Sequence, residues 1–285
     1  MRFAKGHGTG NDFVILPDPD GRLDLTPELV VALCDRHFGL GADGVLRVVR
    51  SAVAGEDAAG QLAEWFMDYR NSDGSIAEMC GNGIRVFAKY LLDEGLAAGL
   101  VIAIATRAGT RTVGAGPDGE FTVDMGPATV LGDGAVHAGD QRLAGLAISV
   151  GNTHLACMIE QPVAAIDLTE PRVLGPADLA SRANVEVFRV VGDHEIEMRV
   201  HERGSGLTLS CGTGAVAAAV AAADAAGEWP AAPGLPWVVH VPGGRLAVTP
   251  SVTASLLTGP AELVAAGELS ASWLAGLSKV GLSIG

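Results

Sequence analysis

Two short segments, Cys80-Gly81-Asn82-Gly83 and Cys211-Gly212-Thr213-Gly214, decide how this chain is predicted to fold. The first leads into an amphipathic helical pattern that begins at Ile84 and ends before Gly95. The second leads into an apolar stretch, 215–223, which has no polar face. A helix of that kind is usually buried at the centre of its domain. The sequence therefore predicts two helices that each begin next to a cysteine.

A second pair of matching features accompanies these helices. Cys80 and Cys211 are 131 residues apart, and Gly10-Asn11 and Gly151-Asn152, which each lead into an apolar strand, are 141 residues apart. Two features repeated at similar offsets indicate an internal duplication. The alternative is that glycine-rich turns recur by chance in a chain with 39 glycines.

The rest of the chain consists mainly of short alternating segments, such as 195–201, which predict half-buried strands. We expect an α+β fold of two pseudo-symmetric halves, each a curled, mostly antiparallel sheet around a central helix. The half that carries Cys80 is predicted to span residues 1–126 plus about 270–285. The half that carries Cys211 is predicted to span residues 127–269, because a strand ends in the Gly-Pro turn at 126–127.

Composition limits the kinds of partner. The 285 residues are 48% hydrophobic, and 19 basic against 33 acidic residues give a net charge of −14. This balance argues against nucleic acid or an anionic membrane as a partner. The N-terminus lacks the pattern of a signal peptide, and no run approaches the ~20 apolar residues that cross a bilayer. We expect a soluble cytoplasmic protein that acts on a small molecule.

The four cysteines fall into two pairs with different expected roles. None has metal-ligand spacing, so all four are expected to be reduced thiols. Cys34 lies on the apolar stripe of a helix predicted from Pro27 to His37, and Cys157 lies within an apolar strand; both are predicted to be core residues. Cys80 and Cys211 lie in glycine-flanked helix starts, where the helix dipole lowers a thiol pKa from its ordinary value of ~8.5.

Such a cysteine turn suits proton transfer at carbon. The glycines let a ligand approach the backbone, and the free N–H groups can bind a carboxylate. Two facing turns would place one sulfur on each side of the carbon that bears the carboxylate. One thiolate would remove the α-proton, the opposite thiol would protonate the other face, and the helix N-termini would stabilise the developing charge. No lysine motif of the pyridoxal type is evident, so neither a cofactor nor a metal is expected.

An ordered set of motifs gives the sequence a family resemblance. In chain order they are Gly8-Thr9-Gly10-Asn11-Asp12-Phe13, the segment from Asp35 to Gly44, Asn71-Ser72-Asp73-Gly74-Ser75, Cys80-Gly81-Asn82-Gly83-Ile84-Arg85, Gly151-Asn152-Thr153-His154 and the segment from Glu202 to Gly214. This set resembles the successive signatures of diaminopimelate epimerases and covers Met1 to about Gly259. Proline racemases and phenazine-pathway isomerase-like proteins share the fold but do not combine these signatures.

The resemblance implies a cofactor-independent isomerase that interconverts LL- and meso-diaminopimelate, for lysine and peptidoglycan precursor synthesis. It implies Cys80 and Cys211 as the acid–base pair in a cleft between the halves, and a homodimer as a family-level expectation. The reacting carboxylate would bind the N–H groups of Gly81, Asn82, Gly212 and Thr213. The distal amino-acid head would be held by Asn11, Asn71, Asn152, Asn184 and Arg203. Glu202 and His154 would lie near the reacting centre and orient the α-amino group or the thiols.

Two departures and two alternatives remain. Thr153 stands where the family commonly has Pro, and Leu207 stands where it commonly has a second Glu. These departures leave open a racemase or epimerase of a different amino acid. A protein of another class, which uses Cys80 and Cys211 as a redox or metal-binding dithiol without turnover, is the second alternative. Taken singly, Asn11 and Asn152 also fit ordinary turn residues, and Glu202-Arg203 fits a solvated ion pair.

Overall fold

The computed structural model describes residues 1–116, 118–230 and 234–279. Within them the chain forms two compact units: Met1–Phe121 together with the described residues from Pro260 onward, and Thr122–Gly259 apart from its undescribed positions. The fold is α+β and rich in strands, as expected from the sequence. No helix in these ranges is long and apolar enough to cross a membrane.

The regular elements follow in chain order. The strands are β1 (Arg2–Gly8), β2 (Asn11–Pro17), β3 (Gly44–Arg50), β4 (Trp65–Asn71), β5 (Val101–Ala105), β6 (Arg111–Ala115), β7 (Glu120–Asp124), β8 (Thr129–Ala138), β9 (Gln141–Val150), β10 (Asn152–Met158), β11 (Arg172–Leu174), β12 (Asn184–Gly192), β13 (Glu195–Glu202), β14 (Gly206–Thr208), β15 (Trp237–Val241), β16 (Gly244–Thr249), β17 (Leu256–Pro260) and β18 (Glu262–Glu268). The helices are α1 (Pro27–Cys34), α2 (Gly81–Asp93), α3 (Ala177–Arg182), α4 (Gly212–Ala225) and α5 (Ala271–Lys279). Short 3-10 turns span Ser51–Val53, Gly55–Ala58 and Val163–Ala165.

The first unit is a mostly antiparallel sheet around α2. Neighbouring strands run in the order β18, β1, β2, β3, β4, β5, β6, and only the β2–β3 and β4–β5 pairs are parallel. Helix α2 contacts all seven of these strands, so the sheet curls around it. Its apolar residues Ile84, Phe87 and Leu91 are fully buried.

The second unit repeats this pattern of pairings. Its strands run in the order β8, β9, β10, β12, β13, β15, β16, and only β10–β12 and β13–β15 are parallel. Helix α4 contacts β9, β10, β12, β13, β15 and β16, and none of the residues 215–223 is more than 8% exposed. The repeated topology agrees with the internal duplication that the sequence indicated.

The chain returns to the first unit earlier than the predicted position near residue 270. Strand β18 pairs with β1, from Arg2 opposite Glu268 to His7 opposite Glu262. In the second unit β9 occupies the place that β1 has in the first. The strand paired with β9 on the side away from β10 is β8, which comes before β9 in the chain. The first unit therefore obtains its equivalent strand from the C-terminal end of the chain. Its other boundary lies at Phe121, within β7, rather than at 126.

Helix α1 is shorter than predicted. The pattern indicated a helix to His37, but α1 ends at Cys34 and Asp35 is already extended. The Asp35 carboxylate accepts hydrogen bonds from the backbone N–H groups of His37 and Phe38, each at 2.7 Å, which stabilises a turn in place of further helix. The prediction for residues 35–37 was therefore wrong.

Cys34 and Cys157 are core residues, as predicted. Cys34 is buried among the apolar residues of α1, β2 and β3, and Cys157 is buried between β8, β10 and β12. Burial raises the pKa of each thiol to about 12, so both are neutral in the folded protein.

Cys157→Ala should lower the free energy of unfolding by about 1–2 kcal/mol, because it leaves a cavity in a closely packed core. The matched control is its neighbour Met158, which is 52% exposed. Met158→Ala should change the free energy of unfolding by no more than about 0.5 kcal/mol. Urea unfolding measures both, and an equal loss in the two variants would contradict the assignment of Cys157 to the core.

Candidate active site

The two Gly-flanked cysteines occupy the same local position in their units. Cys80 is the N-cap residue of α2, and its Sγ accepts a hydrogen bond from the N–H of Gly83 at 3.4 Å. Cys211 is the N-cap residue of α4, and its Sγ accepts from the N–H of Gly214 at 3.4 Å. The predicted helix starts are therefore confirmed. Each sulfur lies at the positive end of a helix dipole.

A tight hairpin places Asn11 beside Cys80. Thr9 and Gly10 both have positive φ, at 50° and 82°, as a two-residue type I′ turn between β1 and β2 requires. Asn11 follows at the start of β2, and its Oδ1 lies 3.6 Å from Cys80 Sγ and 3.3 Å from Asn82 Nδ2. The turn therefore brings three of the predicted site residues together.

The orientation of the Asn11 amide is fixed from the other side by a charged cluster. Asn11 Nδ2 donates to Asp43 Oδ2 at 2.8 Å, while Asp43 Oδ1 accepts from Arg36 at 2.7 Å. Arg36 also donates to both carboxylate oxygens of Asp12, which binds Lys5 at 2.6 Å. Burial opposes ionisation of Asp12, but hydrogen bonds from Arg36 and Lys5 lower its pKa to about 2. Asp12 and Asp43 therefore hold the hairpin against the segment that follows α1.

Asn71, the other asparagine predicted for this unit, makes a separate set of contacts. It is the last residue of β4, and its Nδ2 donates to Ser75 Oγ at 3.0 Å. It lies opposite Gly44 at the start of β3. The hydrogen bonds of the Asn71 side chain therefore stabilise the 71–75 turn and do not join it to the Asn11 cluster.

In the second unit, a carboxyl group lies next to Cys211. Glu202, at the end of β13, accepts a hydrogen bond from Thr208 Oγ1 at 2.5 Å, and its negative charge acts on the Cys211 thiol. Thr213 Oγ1 lies 3.5 Å from Cys211 Sγ. Burial raises the pKa of Glu202, and its hydrogen bonds oppose that rise.

The thiol of Cys211 is less acidic than an ordinary thiol. Burial raises its pKa well above 9.0, and the negative charges of Glu202 and Glu186 raise it further. Hydrogen bonds from Thr213 and from the N–H of Gly214 lower it by less. The prediction that the helix start lowers the pKa of this thiol is therefore wrong, because loss of solvation and the charges of two carboxyl groups outweigh the hydrogen bonds from Thr213 and Gly214.

His154 belongs to a buried pair that the sequence analysis did not identify. Its ring and the side chain of Glu186 are both fully buried, with Nδ1 2.7 Å from Glu186 Oε1. The other ring nitrogen lies 3.0 Å from Asn152 Oδ1. Within the described ranges, Glu186 Oε2 is buried and has no hydrogen-bond partner. A glycine at 214 leaves room for this pair, because a Cβ there would lie 2.6 Å from Glu186 Oε1.

Asn184 and Arg203 meet through the backbone. Asn184 Oδ1 accepts from the N–H of Arg203 at 2.9 Å, and Asn184 also lies opposite His154 in the parallel β10–β12 pair. Arg203 itself is exposed. The two positions that depart from the family pattern are Leu207, 46% exposed in β14, and Thr153, half-buried in β10.

Comparison with known proteins gives close relatives over nearly the whole chain. The sequence profile of the family described as diaminopimelate epimerase matches residues 3–131 and 146–264. The chain is 54% identical to the diaminopimelate epimerase of Thermobifida fusca over 96% of its own length and 100% of that protein. It is 49% identical to the diaminopimelate epimerase of Streptomyces coelicolor, over 97% and 98% of the two chains.

Solved structures with low sequence identity share the fold. A hydroxyproline epimerase from Agrobacterium vitis with bound trans-4-hydroxy-L-proline gives a TM-score of 0.70 at 17% identity, covering 94% of this chain and 91% of that one. A phenazine biosynthesis protein from Bacillus anthracis gives 0.62 at 14% identity, covering 95% and 99%.

Asp12→Asn should reduce stability in a pH-dependent way. Because the pKa of Asp12 is lowered in the folded state, its contribution to stability is present above the unfolded value of ~3.9 and is lost as the pH falls towards 2. The difference in free energy of unfolding between wild type and Asp12→Asn should therefore be largest above pH 5 and shrink between pH 5 and pH 3. Urea unfolding at a series of pH values measures it, with the exposed Asp118→Asn as control. A difference that grows on acidification would contradict the assignment.

Glu202→Gln should make Cys211 more reactive. Removing the negative charge beside the sulfur lowers the thiol pKa, so the rate of carbamidomethylation of Cys211 by iodoacetamide at pH 7.5 should rise several-fold. Peptide mass spectrometry measures the rate at Cys211 alone. Glu195→Gln, at the other end of β13, is the matched control and should leave the rate unchanged. An unchanged or slower rate in Glu202→Gln would show that its charge does not act on Cys211.

Proposed function

The chain belongs to the diaminopimelate epimerase family, and we propose that it interconverts LL- and meso-diaminopimelate with Cys80 and Cys211 as the acid–base pair. Its relatives at about half identity, over nearly full length, carry that name. The product, meso-diaminopimelate, is the precursor of lysine and peptidoglycan that the family resemblance implies. The activity is that of an isomerase.

The observation that carries this proposal is the equivalence of the two cysteines. Each caps the central helix of a unit, and the two units have the same order of strand pairings. Two-base epimerisation needs one proton acceptor and one proton donor that approach one carbon from opposite faces, and two thiols can exchange these roles between the two directions. A duplicated unit with a sulfur at the same position supplies such a pair.

The reaction follows from the chemistry of the two turns. One thiolate removes the α-proton and the other thiol delivers a proton to the opposite face. The carboxylate takes up the developing charge and is held by the N–H groups of Gly81, Asn82, Gly212 and Thr213. The first N–H groups of a helix have no acceptor within the helix, which suits them to bind an anion.

The raised pKa of Cys211 determines the protonation state of its thiol before the reaction begins. Cys211 begins as a neutral thiol and is therefore the proton donor towards the isomer whose α-hydrogen faces Cys80. For the other isomer the roles reverse: Cys211 as a thiolate removes the α-proton and Cys80 as a thiol delivers a proton to the opposite face, which are the protonation states that one turnover in the first direction leaves behind. His154 and Glu186 contribute to the electrostatic environment of this side of the site.

The distal amino-acid head of the substrate would bind Arg203 and the asparagines Asn11, Asn71, Asn152 and Asn184. An arginine can bind a carboxylate through two parallel hydrogen bonds, and an asparagine amide can both donate and accept. The exposure of the Arg203 side chain and the fixed position of its backbone on Asn184 support this role.

A racemase of a different amino acid is the second candidate. The observation that favours it is that Thr153 and Leu207 depart from the residues that the family commonly has at these positions. A panel of LL- and meso-diaminopimelate, lysine, ornithine and arginine separates the two. The proposal expects kcat/KM for diaminopimelate to exceed that for each single-headed amino acid by at least ~100-fold, because a site that hydrogen-bonds a second amino-acid head rejects a substrate that lacks it. A higher kcat/KM for lysine, ornithine or arginine would overturn the substrate assignment and leave the reaction class intact.

Cys80→Ala and Cys211→Ala should each reduce the rate of interconversion by at least ~10²–10⁴-fold in both directions, because each removes one of the two proton-transfer groups. Chromatography that separates LL- from meso-diaminopimelate measures the rates. Cys34→Ala is the matched control, since its thiol is buried and neutral, and it should keep near-wild-type activity. Wild-type rates in either active-site variant would remove that cysteine from the mechanism.

A further inference from the structure

Arg85 is a charged residue buried directly beneath the Cys80 turn. It lies in α2 and has no exposed surface. Its guanidinium donates to Gly81 O at 3.0 Å and to Asn82 Oδ1 at 2.9 Å, both in the first turn of α2. It also donates to Thr9 Oγ1 at 3.4 Å and to Pro260 O at 3.3 Å.

Among the described residues, the four acceptors of this guanidinium are neutral oxygens, and Arg85 forms no ion pair. A buried charge that lacks an ion-pair partner costs several kcal/mol, and such a cost is rarely kept without a compensating role. Burial lowers the pKa of Arg85 to about 10, so the group is still charged at neutral pH. The two acidic groups whose charge acts on Arg85 are Cys80 and Glu120.

We propose that Arg85 is a positioning residue that stabilises the thiolate of Cys80 and fixes the first turn of α2 around it. This inference rests on the proposed role of Cys80 in proton transfer. The guanidinium acts on the sulfur through a low-dielectric interior, where a positive charge interacts more strongly than it would in water. At Cys80 the guanidinium adds a positive charge to the effect of the helix dipole, and the corresponding position near Cys211 has no such charge.

The same residue fixes the polar side chains around the sulfur. Because Arg85 donates to Asn82 Oδ1, the Nδ2 group of Asn82 is left to donate to Asn11 Oδ1 at 3.3 Å. Asn11 is held in the matching orientation by its hydrogen bond to Asp43. The hydrogen bond from Arg85 to Thr9 supports the hairpin at a residue whose positive φ is strained for a β-branched side chain.

The second unit has the opposite arrangement. The position five residues after Cys211 is Val216, which is buried and apolar, where the first unit has Arg85. The groups whose charge raises the pKa of Cys211 are the carboxyls of Glu202 and Glu186. The positive charge of Arg85 interacts with Cys80 and the negative charges of two carboxyls act on Cys211, which favours one thiolate and one thiol at rest. A two-base proton transfer needs this pair of protonation states.

The charged side chains on β1, β2 and the segment before β3 are paired with one another or with Arg36, whereas Glu78, two residues before Cys80 in the chain, is exposed to solvent. Asp12 on β2 and Asp43 before β3 both form ion pairs with Arg36, and Lys5 on β1 is paired with Asp12. The negative charge of Glu120, at the start of β7, favours the charged form of Arg85.

The pH dependence of carbamidomethylation of Cys80, followed by peptide mass spectrometry without substrate, tests the proposal. Arg85→Gln should raise the apparent pKa of Cys80 by at least one unit, which lowers its alkylation rate at pH 7 about tenfold. Arg85→Lys keeps the charge and should stay within about twofold of wild type. Arg47→Gln is the matched control: it removes a partly buried arginine of the same unit that pairs with Asp18 and Asp68, and it should leave the Cys80 profile unchanged.

A folded Arg85→Gln variant with the wild-type Cys80 profile would overturn the proposal, and so would an equal shift in Arg47→Gln. Should Arg85→Gln fail to fold, the wild-type protein still decides, because Cys80 must show a lower apparent pKa than Cys211. The reverse order would overturn the proposal. Alkylation requires no turnover, so an inactive protein with these profiles would contradict the proposed function and leave this inference standing.

Discussion

The constraint on which the site depends is the use of a sulfur atom to cap a buried helix. An N-cap side chain usually offers oxygen to the free N–H groups of the first turn, and Ser, Thr, Asp and Asn are preferred there. Here Cys80 and Cys211 take that position and accept from the N–H of the third helix residue. Each sulfur is thus tied to the first turn of its helix, and it cannot leave this position without uncapping the helix.

The sheets make this capping position useful. In each unit a glycine with positive φ, Gly10 or Gly151, lies at the turn before an asparagine that opens a strand. In the first unit that asparagine reaches Cys80, and in the second it reaches His154. The two units therefore share the same backbone arrangement, but the polar side chains around their helix starts differ. The difference in charge around the two sulfurs comes from a few side chains and not from the backbone.

Local signals in the sequence were sufficient to predict the features that depend on local structure. Both helix starts at Cys80 and Cys211 followed from the glycine-flanked turns, and the burial of residues 215–223 followed from the lack of any polar residue there. The two repeated features predicted a fold of two similar halves, the family resemblance implied the same fold, and the repeated topology agrees with both. The early end of α1 was missed because it depends on the Asp35 carboxylate competing with helical hydrogen bonds.

Features that depend on tertiary contacts could not be predicted from local signals. Glu186 is polar but lies within an apolar strand segment, and only the fold shows that it is fully buried against His154. Arg85 was read as part of a motif, and its burial became evident only with its four acceptors. The raised pKa of Cys211 likewise arises from burial and from the carboxyls of Glu202 and Glu186 on neighbouring strands, which outweigh its hydrogen bonds. A charged residue on the apolar side of a strand is the signal that could have identified Glu186.

The central claim is that two different thiols act on opposite faces of one α-carbon. Its most direct test is the early time course of deuterium incorporation when LL- or meso-diaminopimelate is incubated with the reduced protein in D₂O. The account predicts deuterium at the α-carbon of the newly formed isomer, while the remaining starting isomer keeps its hydrogen. Equal deuterium in both isomers from the start, or product that retains the original hydrogen, would indicate a single base and contradict the claim.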